Sequence, residues 1–415
     1  MIGRAAVHGW AMRSPLGDEP QAVLAKLLRG ERAAMANPLF DAHTYPCALA
    51  AALPAQPNAS SRQRKFLRRM GQYAVAVGLE AMRHARARLP QLATLPGERL
   101  GLFFGYGGLR APWDELMPAM QAQAEDLRGN WEHGLRLLHP FFMLQQLSNN
   151  AHALCAEELL ARGEGVTLSG ANAGAQALAC AQAALAVGAV DAALCVAYDS
   201  LLSPEVLIEQ GLRGALTAAK DLSALRAPYA KAAAGAVPGE AAAALLLLRD
   251  EPREAAPLFF LRAADAAGRT ADSAQQGPAA TTLARAAASV LTTKVAVVDG
   301  AAQAVAEADL KERQALAAAE LIDEGAVLTA TLSGLGQVGA AAPLLQAVLL
   351  ATALKAHQLP RVAGLAATGD ADTAPAGPLP PLFESSFTAA RAALCLSAGA
   401  PGLCGAVAVE MGSEA

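Results

Sequence analysis

The chain has 415 residues, of which 54% are hydrophobic, enough to bury a large core. Charged residues make up 17% and the formal net charge is −4, so the composition argues against a nucleic-acid-binding surface. No apolar run reaches membrane-spanning length without breakers, and the start Met1–Arg4 lacks the features of a signal peptide. We therefore expect a cytoplasmic protein with neither nucleic acid nor membrane as a partner.

Strand-like and helix-like runs alternate through the chain, the pattern of an α/β protein. The predicted strands, in chain order, are Ala5–Gly9, Leu100–Phe104, Gly165–Leu168, Ala192–Ala197, Ala241–Leu248, Leu258–Ala263, Val295–Val298, Val327–Leu332, Leu394–Leu396 and Ala406–Val409. The predicted helices are Gln21–Arg29, Lys65–Arg88, Phe141–Leu160, Gly174–Val187, Thr281–Leu291, Glu312–Leu321 and Ala342–His357.

A charged, proline-containing break at Arg249–Glu254 separates two apolar strands and marks a boundary. It divides the chain into an N-terminal half, residues 1–250, and a C-terminal half, residues 255–415. The two halves share a rhythm of strands, long helices and glycine-rich turns. This shared rhythm indicates a duplicated fold.

The cysteines and histidines predict no metal site. The six cysteines are widely and irregularly spaced, with no Cys-x-x-Cys pair, and none of the seven histidines falls in a metal-ligand spacing. Most cysteines lie in apolar runs, as Cys195 does, and are expected to be buried thiols. We predict neither a metal nor a cofactor.

One glycine-rich motif leaves a nucleotide-binding alternative open. Gly334–Gly339 matches the dinucleotide fingerprint, with a predicted strand before it and a helix after it. A second candidate strand, Arg361–Leu365, precedes Asp370, but the spacing to this acid is too long for the motif. The competing interpretation is a tightly packed turn in which glycine supplies positive φ. A nucleotide-dependent oxidoreductase is therefore one alternative.

The segment Val166–Leu178 resembles the nucleophile region of the β-ketoacyl synthases, in which a strand ends in Thr-Ala-Cys and a helix begins at once. The helix N-terminus lowers the pKa of the family's thiol. The stretch Ala184–Leu194 resembles the family's following Gly-x-Ala-Asp-Ala-Ala-Leu run. Other landmarks occur in the family's order along nearly the whole chain, at Trp10–Gly17, Pro140–Asn150, Arg226–Glu240, Asp309–Glu312, Gly336–Pro343 and Ser397–Ala406.

The family's catalytic residues are substituted in this chain. By the resemblance, Ala171 stands at the cysteine position and Ala301 at the first histidine position. Gln337 stands at the second histidine position and Leu332 at the lysine position. Condensation needs a thiolate to carry the acyl chain and donors to stabilise the enolate. No catalytic residue is therefore predicted.

The resemblance implies a thiolase-like α/β fold. Two similar βαβαβαββ halves would form five layers, α-β-α-β-α. It also implies a function: a chain-length factor, the non-catalytic partner of an active ketosynthase in a type II polyketide or aryl-polyene-like system. Such a subunit would shape the acyl tunnel and meet the acyl carrier protein through the complex. The interface is expected near Phe141–Leu160 and Gly165–Leu168.

Matching to the family also predicts the tunnel residues. The gate falls on the helix after Gly107-Gly108 and includes Leu109, Pro112 and Leu116. Two further tunnel positions are Phe142 and Gly170. A last alternative is an acyltransferase that uses another nucleophile, such as Ser169 or Cys180.

Overall fold

The computed structural model describes residues 3–54, 56–110, 113–124, 132–268, 280–320, 322–365, 379–399 and 402–412. Ten strands in these residues form one sheet. They are β1 (Ala5–Arg13), β2 (Leu100–Tyr106), β3 (Gly165–Ser169), β4 (Ala192–Ser200), β5 (Glu240–Arg249), β6 (Phe259–Ala267), β7 (Val295–Asp299), β8 (Ile322–Thr329), β9 (Ala392–Ala398) and β10 (Leu403–Glu410).

Thirteen α-helices lie in the described residues. They are α1 (Pro20–Leu28), α2 (Ser61–Phe66), α3 (Arg69–Arg88), α4 (Trp113–Ala124), α5 (Glu132–Leu137), α6 (Phe142–Gln145), α7 (Asn150–Leu159), α8 (Ala173–Ala186), α9 (Pro204–Leu212), α10 (Ala280–Val290), α11 (Ala306–Ala317), α12 (Leu332–Leu335) and α13 (Ala342–Lys355). No helix among the described residues is long and apolar enough to cross a membrane.

The sheet consists of two halves with the same strand order. The first half runs β1-β5-β4-β2-β3 and the second runs β6-β10-β9-β7-β8. In each half the three outer strands are parallel, and the other neighbours pair antiparallel. Antiparallel pairing of β1 with β6 joins the halves. The repeated order agrees with the predicted pair of similar halves, while the boundary between residues 250 and 255 stays a prediction.

The helices and the sheet halves alternate in five layers. Helix α3 packs on the outer face of the first half, and α10 and α11 pack on the outer side of the second. Helices α8 and α13 lie between the halves and contact both. Alanine occupies most of the buried face of α8, because only small side chains let one helix pack closely against both halves of the sheet. The predicted α/β arrangement is confirmed.

Several predicted boundaries are corrected by local backbone signals. The predicted helix Lys65–Arg88 is interrupted, because Leu67 and Arg68 have extended backbone. Lys65 belongs to α2, which a capping box between Ser60 and Gln63 starts, and α3 begins only at Arg69. The predicted helix Phe141–Leu160 is likewise two helices, α6 and α7. The predicted strand Val327–Leu332 ends at Thr329, and Leu332 begins the short helix α12.

Candidate degenerate active site

Ala171 lies between the end of β3 and the start of α8. Gly170 adopts φ +134°, which turns the chain sharply before Ala173 begins the helix. A thiol at this helix N-terminus would be stabilised as a thiolate, but the side chain here is a methyl group. Gly399 packs directly over it, since a Cβ built on Gly399 would overlap the Ala171 side chain. The position supplies no nucleophile.

Gln337, which is predicted to stand at the second histidine position, binds the loop that carries Ala301, predicted to stand at the first. Its Nε2 atom donates to the carbonyl oxygens of Ala301, at 2.8 Å, and Ala302, at 2.7 Å. An amide nitrogen has only two protons to donate. Both are used within the protein, so neither is available to stabilise an oxyanion on a thioester.

Buried acids hold this loop from behind. Glu312 accepts a hydrogen bond of 2.9 Å from Ala301 N, and the Tyr229 hydroxyl accepts one of 3.1 Å from Ala302 N. Ala302 and Ala304 adopt φ of 49° and 53°, conformations that cost a non-glycine residue about 1–2 kcal/mol each. The hydrogen bonds therefore stabilise a strained loop.

Of the acids behind the loop, Glu312 is largely protonated at neutral pH, whereas Asp309 is only about half protonated. Burial raises the pKa of Glu312 to about 8 and that of Asp309 to about 7. Tyr229 N donates to Asp309 at 2.8 Å. The carboxyl of Glu312 is therefore engaged by hydrogen bonds within the protein, from Ala301 N and the Tyr229 hydroxyl.

The remaining substituted position lies beside Gln337. Leu332 is buried and lines the same small cavity as Ala302 and Gln337. No lysine or histidine is among the described residues that line this cavity. A Cβ built on Gly174, in the first turn of α8, would overlap Ala340 O, so the helix that follows Ala171 packs against the Gln337 loop. The fold thus brings into one region the four residues that are predicted to stand at the catalytic positions.

The predicted tunnel residues are only partly brought together. Gly170 N donates to Tyr106 O at 3.0 Å, which joins the nucleophile turn to the start of the predicted gate. Leu109 is 64% exposed and Leu116 is half-buried on α4. Phe142 lies under the Arg68 guanidinium, 5.6 Å from the ring centre. Pro112 lies outside the described residues.

An apolar hollow between α4 and α9 was missed by the sequence analysis. Trp113 and Met117 line it from α4, whereas Leu116, which we had predicted as a gate residue, does not. Ile208 and Leu212 line it from α9, and Leu212 is 81% exposed. In the sequence each of these segments has the pattern of an ordinary amphipathic helix. The hollow can be identified only from the structure, in which α4 and α9 face each other.

Among the described residues, neither alternative nucleophile is hydrogen-bonded to a base. Ser169 makes no side-chain hydrogen bond to any described residue. Burial and the carboxylates of Asp265 and Glu164 raise the pKa of the Cys180 thiol, which keeps it in the unreactive thiol form. An acyltransferase nucleophile needs a hydrogen-bonded base to activate it, and the part of the chain that the structure describes gives neither residue one.

The glycines of the fingerprint are used for internal packing. A side chain on Gly334 would overlap Leu27, and one on Gly339 would overlap the Asp199 carboxylate. The segment is not a direct strand-to-helix turn, because α12 intervenes, and Arg361–Leu365 is not a strand. These contacts leave no open backbone cradle for a pyrophosphate.

The fold and the family are shown by comparison with known proteins. A family model described as Beta-ketoacyl synthase, N-terminal domain, matches residues 4–253. Because the match covers more than half of the chain, this protein belongs to the β-ketoacyl synthase family. No curated protein sequence matches the chain.

Solved structures share the architecture over its full length. A β-ketoacyl synthase from Burkholderia phymatum STM815 is 20% identical, with a TM-score of 0.81 and 99% of each chain covered. A chain of AntDE:AntF, a type II PKS acyl-carrier protein in complex with its ketosynthase bound to the hexaketide, is 18% identical, with a TM-score of 0.79 and both chains fully covered. The ishigamide ketosynthase/chain length factor is 20% identical, with a TM-score of 0.80 and both chains fully covered. The fold is thus the thiolase-like fold of the ketosynthases.

Proposed function

We propose that this chain is a chain-length factor, a ketosynthase-like subunit that pairs with an active ketosynthase and shapes its acyl tunnel. The observation that carries the proposal is the coordinated loss of chemistry at Ala171, Ala301, Leu332 and Gln337. A chain that had lost only its nucleophile would keep the means to decarboxylate a malonyl group. Here the Gln337 amide is also fully engaged within the protein.

A surface for the partner supports this proposal. Strand β3 is the edge of the sheet and pairs only with β2 among the described residues, so its outer hydrogen-bonding groups are free to meet another chain. Large apolar side chains are exposed on the segment that precedes it, which includes α5, α6 and the start of the link to α7. They are Leu135, Leu137, Met143, Leu144 and Leu147. Exposed apolar side chains and an open sheet edge are both features that a protein partner of the same fold would cover.

The apolar hollow between α4 and α9 is the second supporting feature. Its walls include the apolar side chains of Trp113, Met117, Ile208 and Leu212. Glu205 and Glu209 also line it, but little of the exposed lining is polar. A growing acyl or polyene chain is apolar along most of its length and would be stabilised by such walls. We therefore assign the distal part of the tunnel to this hollow. The gate is proposed at Leu109, Pro112 and Leu116, and two further tunnel positions are proposed at Phe142 and Gly170.

The descriptions of two structural neighbours support this assignment. One is a ketosynthase/chain length factor, and another is a type II PKS ketosynthase in complex with its acyl-carrier protein. A type II polyketide or aryl-polyene-like system is accordingly the proposed setting. The partners would be an active ketosynthase, bound directly, and an acyl carrier protein, met through the complex.

Co-expression with the intact ketosynthase of the same gene neighbourhood tests the pairing. We expect a one-to-one complex by size-exclusion chromatography with light scattering. Met143→Glu should abolish it, because a charge would be buried in the interface. Val187→Glu is the matched control, since Val187 is as exposed (79% against 72%) but lies at the end of α8. A Met143→Glu chain that still pairs as the control does would contradict the proposed surface.

A decarboxylation assay separates this proposal from a damaged enzyme. The purified chain, given malonyl-loaded carrier protein, should release carbon dioxide no faster than the protein-free blank. A rate well above the blank, retained after the carrier is repurified, would show that the chain has a working reaction centre of its own.

A further inference from the structure

The carboxylate of Asp199 joins two parts of the chain that the proposed function uses separately. Asp199 is the next-to-last residue of β4, the middle strand of the first half of the sheet, and its side chain is only 3% exposed. Oδ1 accepts from Arg110 at 2.9 Å and from Ser200 N at 2.8 Å. Oδ2 accepts from Ala340 N at 3.1 Å. One buried carboxylate therefore serves three donors.

The first part is the gate segment, defined as Gly107–Arg110. Arg110 also donates through Nε to Ser200 O at 3.1 Å, so two hydrogen bonds fix its guanidinium beside the strand end. A side chain at Gly107 would overlap the Asp199 carboxylate, which means that the backbone of the gate segment lies directly against it. Leu109, the exposed gate residue, lies between these two anchor points.

The second part is the loop that follows Gln337. Gly339 has φ +53°, and a side chain there would also overlap Asp199 Oδ2. The loop is fixed on its other side, because Gln337 N donates to Val237 O at 2.9 Å and Gly239 N donates to Gln337 O at 2.7 Å. The Asp199 carboxylate is thus packed between two glycine backbones, one from the gate and one from the degenerate site.

We propose that Asp199 is a positioning residue that sets product length, because it fixes the gate segment against the Gln337 loop. This inference rests on the proposed function and extends it to a residue that need not touch the acyl chain. A buried carboxylate held by a charged and a backbone donor fixes geometry more firmly than packing alone. If the gate is fixed in this way, the tunnel has one length and the product distribution is narrow.

The test compares Asp199→Asn with Asp191→Asn. The asparagine at position 199 keeps the size of the side chain but has one acceptor oxygen for three donors. Asp191 is the matched control, because it pairs with Arg99 and Arg249 and lies just before the opposite end of β4. Hydrogen exchange of the chain alone is measured for peptides covering residues 105–110 and 337–341. Product lengths are measured for the complex with the active ketosynthase.

The Asp199→Asn chain should exchange at least tenfold faster in both peptides. Its complex should make a broader product mixture, with the main product falling to less than half of the total. Asp191→Asn should change neither readout. Arg110→Gln loses only the contact with the gate segment, so it should broaden the product mixture while the peptide 337–341 keeps its protection from exchange. This variant tests the inference if Asp199→Asn does not fold.

Two outcomes overturn the inference. Unchanged exchange in Asp199→Asn would show that the carboxylate does not hold the two segments. Faster exchange with wild-type product lengths would show that the contact does not set length. A wild-type chain that forms no complex at all would instead overturn the proposed function, and this assignment with it.

Discussion

Glu312 should make the protein less stable as the pH rises. Burial raises the pKa of this carboxyl from 4.5 to about 8. Between these values the folded chain keeps a proton that the unfolded chain has released, so the free energy of unfolding falls with rising pH. The stabilisation is fully present below pH 4.5 and is lost by about pH 8. The whole difference amounts to roughly 5 kcal/mol.

Glu312→Gln isolates this contribution. Glutamine keeps a carbonyl oxygen for Ala301 N but cannot ionise. We expect near-equal stability at pH 5, and a variant that is more stable than wild type by about 3–5 kcal/mol at pH 8.5. The pH slope should flatten by about 1.4 kcal/mol per unit. Asp309 and Asp299, whose pKa values burial raises to about 7 and about 6, leave a residual slope of the same sign in both proteins.

Urea denaturation at half-unit steps from pH 5 to pH 8.5, followed by tryptophan fluorescence, measures both slopes. Glu209→Gln is the control, because Glu209 is exposed and its partner among the described residues is Arg213, just after the end of α9. Its curve should run parallel to the wild type. If the Glu312→Gln curve is also parallel, Glu312 is ionised in the folded chain and the account of the buried network is wrong.

Three further predictions follow from named contacts. Leu109→Trp should shorten the products of the reconstituted complex by at least one extension unit without weakening assembly, as read by mass spectrometry of the released chains; unchanged lengths would remove Leu109 from the gate. Gln337→Ala should leave two carbonyl oxygens without donors, so amides of the loop that it binds should exchange faster, and full protection would contradict the bonding described. Gly339→Ala should cost more than about 2 kcal/mol in urea denaturation, because its Cβ overlaps Asp199. Gly188→Ala, where φ is also positive but the space is open, should cost only about 1 kcal/mol.

The strand framework could be predicted from the sequence because apolar runs specify it locally. The run that becomes Glu240–Arg249 is buried along almost its whole length, and nothing but a central strand fits it. Boundaries were less accurate where a cap decides them. The capping box at Ser60 is a short polar signal within a helical pattern. The strand before Leu332 ends at Ala330-Thr331, a turn without the glycine, proline or asparagine that usually marks one.

For the candidate site, the sequence predicted which residues stand at the catalytic positions, but not the contacts that those residues make. The order of motifs identified the positions of Ala171 and Gln337, but not the hydrogen bonds of Gln337, because its acceptors lie 35 and 36 residues away in the chain. The α9 wall of the hollow and the Asp199 contacts were also missed. Each depends on which elements face one another across the fold, and spacing along one sequence does not carry that information.

Intact-protein mass spectrometry of the complex tests the central claim most directly. The chain, paired with its active ketosynthase, is incubated with acyl-loaded carrier protein, and the masses of both subunits are recorded. The account predicts an acyl adduct on the partner alone and an unmodified mass for this chain. A stable acyl adduct on this chain, mapped to Ser169, Cys180 or any other residue, would contradict it.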